Sequence, residues 1–136
     1  MIIIDTNVMS EMMREEPDPH VLAWTQTAGR LHTTVITLAE IDYGIARLPD
    51  GLRKDRLSAT AADVFADFND MILPLDPPAA RCYADIVVRR QRAGTPITMA
   101  DAQIAAICAA QEATLATRNT EDFEATGITC FNPWTR

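Results

Sequence analysis

The segment MIIIDTN, Met1 to Asn7, decides how this chain is read. Ile2, Ile3 and Ile4 make a short β-branched run without a polar break, the pattern of a strand buried on both faces. Strands of that kind belong to parallel sheets covered by helices on either side. The run stops abruptly at Asp5-Thr6-Asn7. A carboxylate that closes a buried strand has few structural uses: it makes an Asx turn or it belongs to a site. In open parallel sheets, sites form beyond the carboxyl ends of the strands.

Outward from this strand, helical and extended patterns alternate. A helix is expected from Val8, carrying Met9, Met12 and Met13 towards Arg14. Asp18-Pro19 is a cap and first-turn pair for a second helix through Trp24. A second strand is expected over 31–35, and Thr37 then opens a helix with Leu38, Ile41, Ile45 and Leu48 on its apolar side. Pro49-Asp50-Gly51 is a turn, followed by an amphipathic helix over 52–68. A third strand over 71–75 precedes a helix from Pro77 to Ala93, which Gly94 stops. Thr98 caps a helix that is apolar almost all round from Ala100 to Ala110, so it should be buried. Strands over 114–117 and 128–131 complete the alternation. The pattern predicts an α/β domain with a mostly parallel five-stranded sheet, spanning 1–136 as one unit.

The totals agree with one packed domain. The chain has 136 residues, 48% of them hydrophobic, enough for a core without staples. Three cysteines, far apart, and two histidines exclude a disulfide framework or a structural zinc site and fit a reducing cytoplasm. The N-terminal apolar run is too short for a signal peptide, and no stretch has the length of a membrane span. The formal charge of −7 rules out broad electrostatic binding to nucleic acid. A nucleic-acid substrate would need a local arginine patch and bound cations.

Several acids can meet at the carboxyl edge of such a sheet. Asp5 closes the first strand, Glu40 and Asp101 lie in early turns of two helices, and Thr117-Arg118-Asn119 ends the fourth strand. Two carboxylates about 4 Å apart repel by roughly 4 kcal/mol at an effective dielectric near 20. Magnesium or manganese removes that repulsion, because hard cations prefer carboxylate oxygen and water. Helix capping competes with this reading. Thr37-x-x-Glu40, Thr98-x-x-Asp101 and Asn119-x-x-Asp122 all fit a capping box, and acids that only cap helices would leave a non-catalytic binding protein. A phosphatase or phospho-receiver fits less well, since Asp5-Thr6-Asn7 has no second aspartate and Lys54, the one lysine, sits at a helix start.

These pieces together resemble the PIN-domain toxins of bacterial VapBC toxin–antitoxin modules, in particular the FitB-like subgroup. The resemblance rests on MIIIDTNVMSE, TLAEIDYGIARLP, TPITMADAQIAAICA, LATRNTEDF and GITCFNPW, which stand in the expected order over nearly the whole chain. It implies a PIN-like three-layer α/β/α fold and a Mg2+- or Mn2+-dependent endoribonuclease that cuts single-stranded RNA. By the same resemblance Asp5, Glu40 and Asp101 take the first three acidic positions and hold the metal. Asn119 stands where many members have an aspartate, and Asp122 is the outer acid one turn later. Thr6, Asn7, Thr117, Arg118 and Asn119 are expected as polar support around the substrate. The implied partners are a VapB-type antitoxin, a second toxin copy and higher assemblies with the antitoxin.

Other side chains have more ordinary readings. Arg81, Arg89, Arg90 and Arg92 on one helix fit its C-terminal dipole and solubility better than a phosphate patch. Met9, Met12 and Met13 fit a core face better than a docking surface. Trp24 and Trp134 fit core or interface packing better than base stacking.

Overall fold

The computed structural model describes residues 1–135. Five strands alternate with six helices: β1 (Ile2–Ile4), α1 (Thr6–Met12), α2 (Pro19–Thr27), β2 (Leu31–Thr34), α3 (Val35–Ala46), α4 (Leu52–Phe68), β3 (Ile72–Leu73), α5 (Pro77–Arg92), α6 (Met99–Gln111), β4 (Thr114–Ala116) and β5 (Thr129–Phe131). Short 3-10 turns occupy Asn69–Met71 and Thr120–Phe123. The sheet is parallel throughout, in the order β3-β2-β1-β4-β5. The chain builds outward from β1 on one side, then crosses back to build β4 and β5 on the other. The crevice between the ends of β1 and β4 is therefore the switch point where α/β folds place ligands.

Period-two alternation divides the core cleanly. Ile3, Leu73, Leu115 and Cys130 face the layer of α5 and α6, with Ile104, Ile107 and Ile86. Ile2, Ile4, Ile72, Ala116 and Phe131 face the opposite layer, with Val8, Met9, Val21, Phe65 and Phe68. This explains why β1 reads as a continuous apolar run: both of its faces are covered. Helix α6 is buried through its middle, at Ala102 and from Ile104 to Cys108, as its composition requires. Met9 is fully buried, and Met12 and Met13 pack against the same cluster, so these methionines belong to the core. Among the described residues, no helix is long and apolar enough to cross a membrane.

Element boundaries depart from the pattern at the strand ends. Helix α1 starts at Thr6, not Val8, because the Asp5 carboxylate caps it by accepting from the Thr6 N–H. Strand β2 ends at Thr34, whose hydroxyl accepts from the Thr37 N–H, so α3 begins at Val35 and Thr37 lies inside its first turn. The Thr37-x-x-Glu40 capping box is thus absent, and Glu40 is free of any capping role.

The chain leaves the outer turn through Gly127, at φ 87°. A Cβ there would also collide with the Arg89 guanidinium. Gly127→Ala should cost about 1–2 kcal/mol from the left-handed backbone, with Arg89 displaced. Thermal melting reads this as a drop of several degrees; an unchanged melting temperature would show that the loop relaxes freely.

Candidate functional site

The site begins with Asp5, buried at 5% exposure where β1 ends. Its Oδ1 accepts from the Thr6 N–H at 2.8 Å and its Oδ2 from the Thr117 hydroxyl at 2.8 Å. Thr117 itself lies just past β4 and is fully buried, and its Oγ1 also accepts from the Asn119 N–H at 3.1 Å and the Asn7 amide at 3.2 Å. The carbonyl of Asn7 accepts from the Arg118 N–H at 3.2 Å. Asn7 therefore clasps the two strand ends together from one side, and Thr117 from the other.

Glu40 arrives from the second turn of α3. Its Oε1 accepts from the Thr6 hydroxyl at 2.7 Å. The Thr6 and Thr37 hydroxyl oxygens are 3.0 Å apart. Because Thr6 gives its proton to Glu40, Thr37 is the donor in that pair. A threonine relay thus holds Glu40 beside Asp5 across 34 residues of sequence. Asp101 stands in the first turn of α6, where the Thr98 hydroxyl accepts from its N–H at 3.2 Å. Thr98 thus caps α6 as expected, and Asp101 lines the same cleft.

One cleft of about 530 Å³ is lined by Asp5, Thr6, Asn7, Glu40, Asp101, Arg118, Asn119 and Asp122. Thr117 stands directly behind it. Every residue that the sequence nominated is thus at or against this cleft. Asn119 gives no side-chain cap to the 3-10 turn carrying Asp122, so the third capping box is not formed either. Four further lining residues escaped the sequence reading as site residues: Ser10, Glu11, Arg14 and Trp134. Glu11 is buried, pairs with Arg14 at 3.0 Å and accepts from the Asp18 N–H, fixing the link between α1 and α2. Arg118 lies over the Trp134 ring at 5.1 Å, a cation–π contact that two distant sequence motifs did not advertise.

Arg90 is the other surprise. It is buried, and its guanidinium donates to the backbone carbonyls of Thr95, Asp122 and Glu124. It is neither a solubility residue nor a phosphate patch. It is a strut that pins the Asp122 turn against the loop entering α6.

The electrostatics are dominated by unneutralised acid. Burial pushes the Asp5 carboxyl up to about 6, against the hydrogen bonds from Thr117 and Thr6; the charges of Asp101 and Glu40 push the same way. Burial also raises Asp101, reinforced by the Asp122 and Glu40 charges and opposed by Thr98 and Arg90. Mutual repulsion among carboxylates in one cleft favours a hard divalent cation over any other guest. Among the described residues, no three His, Cys, Asp or Glu side chains are close enough as placed to hold an ion unaided. A cation that keeps much of its water shell, as Mg2+ does, fits such an open donor set, with water spanning the gaps. Asp5, Glu40 and Asp101 line that cleft and would be its candidate donors.

Comparison with known proteins agrees with this geometry. The PIN domain model matches residues 2–128. The chain is 39% identical over 137 residues to the VapC ribonuclease Y4jK of Sinorhizobium fredii, covering 98% of each protein. It is 38% identical over 140 residues to Toxin FitB of Neisseria gonorrhoeae, covering 98% of this chain and 99% of that one. The crystal structure of FitAcB from Neisseria gonorrhoeae superposes with a TM-score of 0.85 at 37% identity, covering 100% of both chains.

Proposed function

The chain belongs to the PIN-domain family, and on that premise we propose that it is the endoribonuclease toxin of a toxin–antitoxin pair, cutting single-stranded RNA with a divalent cation. The observation that carries this reading is the convergence of Asp5, Glu40, Asp101 and Asp122 on one cleft at the sheet's switch point. The relatives named as a VapC ribonuclease and as a toxin support the activity class. A VapB-type antitoxin, pairing of two toxin copies, further assembly with the antitoxin and action in the cytoplasm belong to the same reading.

Each residue then has a task. Asp5, Glu40 and Asp101 would hold Mg2+ or Mn2+. The bound cation supplies water activation and neutralises charge on the phosphodiester. Thr117 and Asn7 fix the Asp5 carboxylate, and Thr6, backed by Thr37, fixes Glu40. Such orientation by hydrogen-bonded neighbours keeps ligands at productive angles. Asp122 adds negative charge at the rim, while Asn119 contributes a neutral polar group there. Arg118 faces the phosphate, its backbone anchored by Asn7.

The test is hydrolysis of an unstructured RNA by antitoxin-free protein in Mg2+, Mn2+ and EDTA. Cleavage should vanish in EDTA and return with either metal. A saturating cation at about 100 times its Kd should add about 2.7 kcal/mol of stability, several degrees in melting temperature. Asp101→Asn purified in parallel must lose the cleavage; equal activity in that variant would expose a contaminating nuclease. Absence of both cleavage and metal-induced stabilisation would leave a non-catalytic binding protein.

A further inference from the structure

The acidic cleft does not end at Glu40. A second depression of about 520 Å³ shares Thr6, Ser10, Arg14 and Glu40 with it and continues between α3 and α4 past Gly44, Arg47 and Arg53. A third, of about 450 Å³, shares Arg53 and Leu57 with the second and adds Arg56. Each has the volume that holds one small ligand. Three in a row suit an extended polymer instead.

The charge of this path is opposite to that of the site. The protein carries −7 overall, yet beyond Glu40 the path is edged by Arg47, Arg53 and Arg56 around an apolar floor of Met13, Ile41, Ile45, Leu48 and Leu57. Among the described residues, Arg47, Arg53 and Arg56 have no carboxylate partner; the ion pairs are Arg14–Glu11, His20–Asp18 and Lys54–Asp50. Glu15 is the one acid on the outer depression. Tyr43, one turn before Arg47 on α3, is 68% exposed, with Arg47 at 5.7 Å from its ring. Arginines along a groove with an exposed aromatic beside them are the means by which proteins track single strands, phosphate by phosphate.

Gly44 adds an independent observation. It sits within α3, where glycine costs about 1 kcal/mol relative to alanine. Nothing lies within 4 Å of where its Cβ would be, so packing does not require it. The open space beside it is the groove. A glycine there leaves the floor low enough for a ligand to lie against the helix backbone.

We propose that the α3–α4 groove is the path of the RNA strand flanking the scissile bond, with Arg47, Arg53 and Arg56 contacting its phosphates and Gly44 forming the floor. The proposal rests on the ribonuclease reading. It makes affinity depend on strand length: a trinucleotide occupies the acidic cleft alone, whereas a strand of about a dozen nucleotides also fills the groove.

The test measures binding rather than cleavage, using the Asp101→Asn protein and labelled RNAs of these two lengths. Combining Arg47→Gln, Arg53→Gln and Arg56→Gln should weaken the long strand at least about tenfold and reduce the logarithmic salt slope by about 2, close to 0.7 per lost contact. Trinucleotide affinity should stay unchanged. Gly44→Leu, which alters no charge, should also weaken only the long strand. Lysine at the three arginine positions should restore most of the binding, because a point charge suffices for a phosphate. Melting curves confirm that each variant is folded. In wild-type background the glutamine variant should raise KM for long RNA and leave kcat unchanged.

Equal binding of both RNAs by the triple variant and the Asp101→Asn parent would overturn the groove while leaving the nuclease reading intact. So would loss of antitoxin binding with RNA affinity retained, which would make the groove a protein-docking surface. Length-dependent binding without any cleavage by the wild-type protein would overturn the nuclease reading, and with it the scissile-bond placement, and leave the groove as an RNA-binding path alone. No binding of either RNA would overturn both.

Discussion

Replacing Asp5 with asparagine should lower RNA cleavage by two to three orders of magnitude, roughly the loss expected for one preorganised electrostatic group, while making the metal-free protein more stable near neutral pH. The two effects have one cause. Asp5 is buried, and its carboxyl is held at about 6, above the ordinary aspartate range. A carboxyl raised in this way favours folding only when protonated. Its contribution is fully present below the unfolded-state value and is lost as pH rises through about 6. Above that pH, the folded protein carries a buried charge that the unfolded chain would solvate freely. Asparagine removes the charge and keeps a group able to accept from the Thr6 N–H or meet the Thr117 hydroxyl. The gain should approach, at most, about 3 kcal/mol at neutral pH and vanish towards pH 4. Melting of both proteins in EDTA across that range, beside a cleavage assay, checks it. Adding Mg2+ to about 100 times its Kd should largely cancel the difference, because wild type gains stability from the ion and the variant gains little. An Asp5→Asn protein that melts below wild type at neutral pH would show that the carboxylate is held by interactions stronger than its burial penalty.

Arg90→Met should unfold the protein more readily by about 3–4 kcal/mol, since hydrogen bonds from a charged donor are each worth about 1.5–3 kcal/mol and their acceptors would be left unmet. The side chain reaches three carbonyls, of Thr95, Asp122 and Glu124, from a buried position. Methionine fills similar space and donates nothing. Arg90→Lys should rescue little, because a single ammonium cannot reproduce the planar fork that serves two chain segments at once. Cleavage should also fall, measured well below the variant's melting temperature. The turn carrying Asp122 loses its tie to the α6 entrance, and the Asp101 carboxyl loses a cation that holds it down against burial. A lysine variant of wild-type stability would reduce Arg90 to a simple counter-charge.

The alternation of β-branched runs with helical periodicity was enough to place all five strands and to order them with six helices, because burial on both faces of a parallel sheet writes itself into composition. Strand ends were less legible. Thr37 reads from sequence as the start of α3, and Thr34 takes the capping role because the chain turns out of the sheet there. The site was legible as a set of acids and not as a mechanism of holding them. Nothing local joins Thr6 to Glu40 or Asp5 to Thr117, and only the sheet order brings them together. Arg90 was read wrongly for a physical reason. An arginine in the last turn of an amphipathic helix has the same local signature whether it points to water or reaches back under a neighbouring turn. Trp134 reads from sequence as a packing residue, and it does pack against the core, but nothing local announces that its ring also meets Arg118.

The bond from Thr117 to Asp5 joins residues 112 apart. During synthesis the first strand leaves the ribosome well before its neighbour on the far side, β4, is made. Until then, Asp5 lacks its second anchor, and Arg118 and Asn119 have not been made. A nascent or prematurely released chain that lacks β4 therefore carries no assembled cleft. The same long-range closure should make refolding slow relative to a helical bundle of equal size.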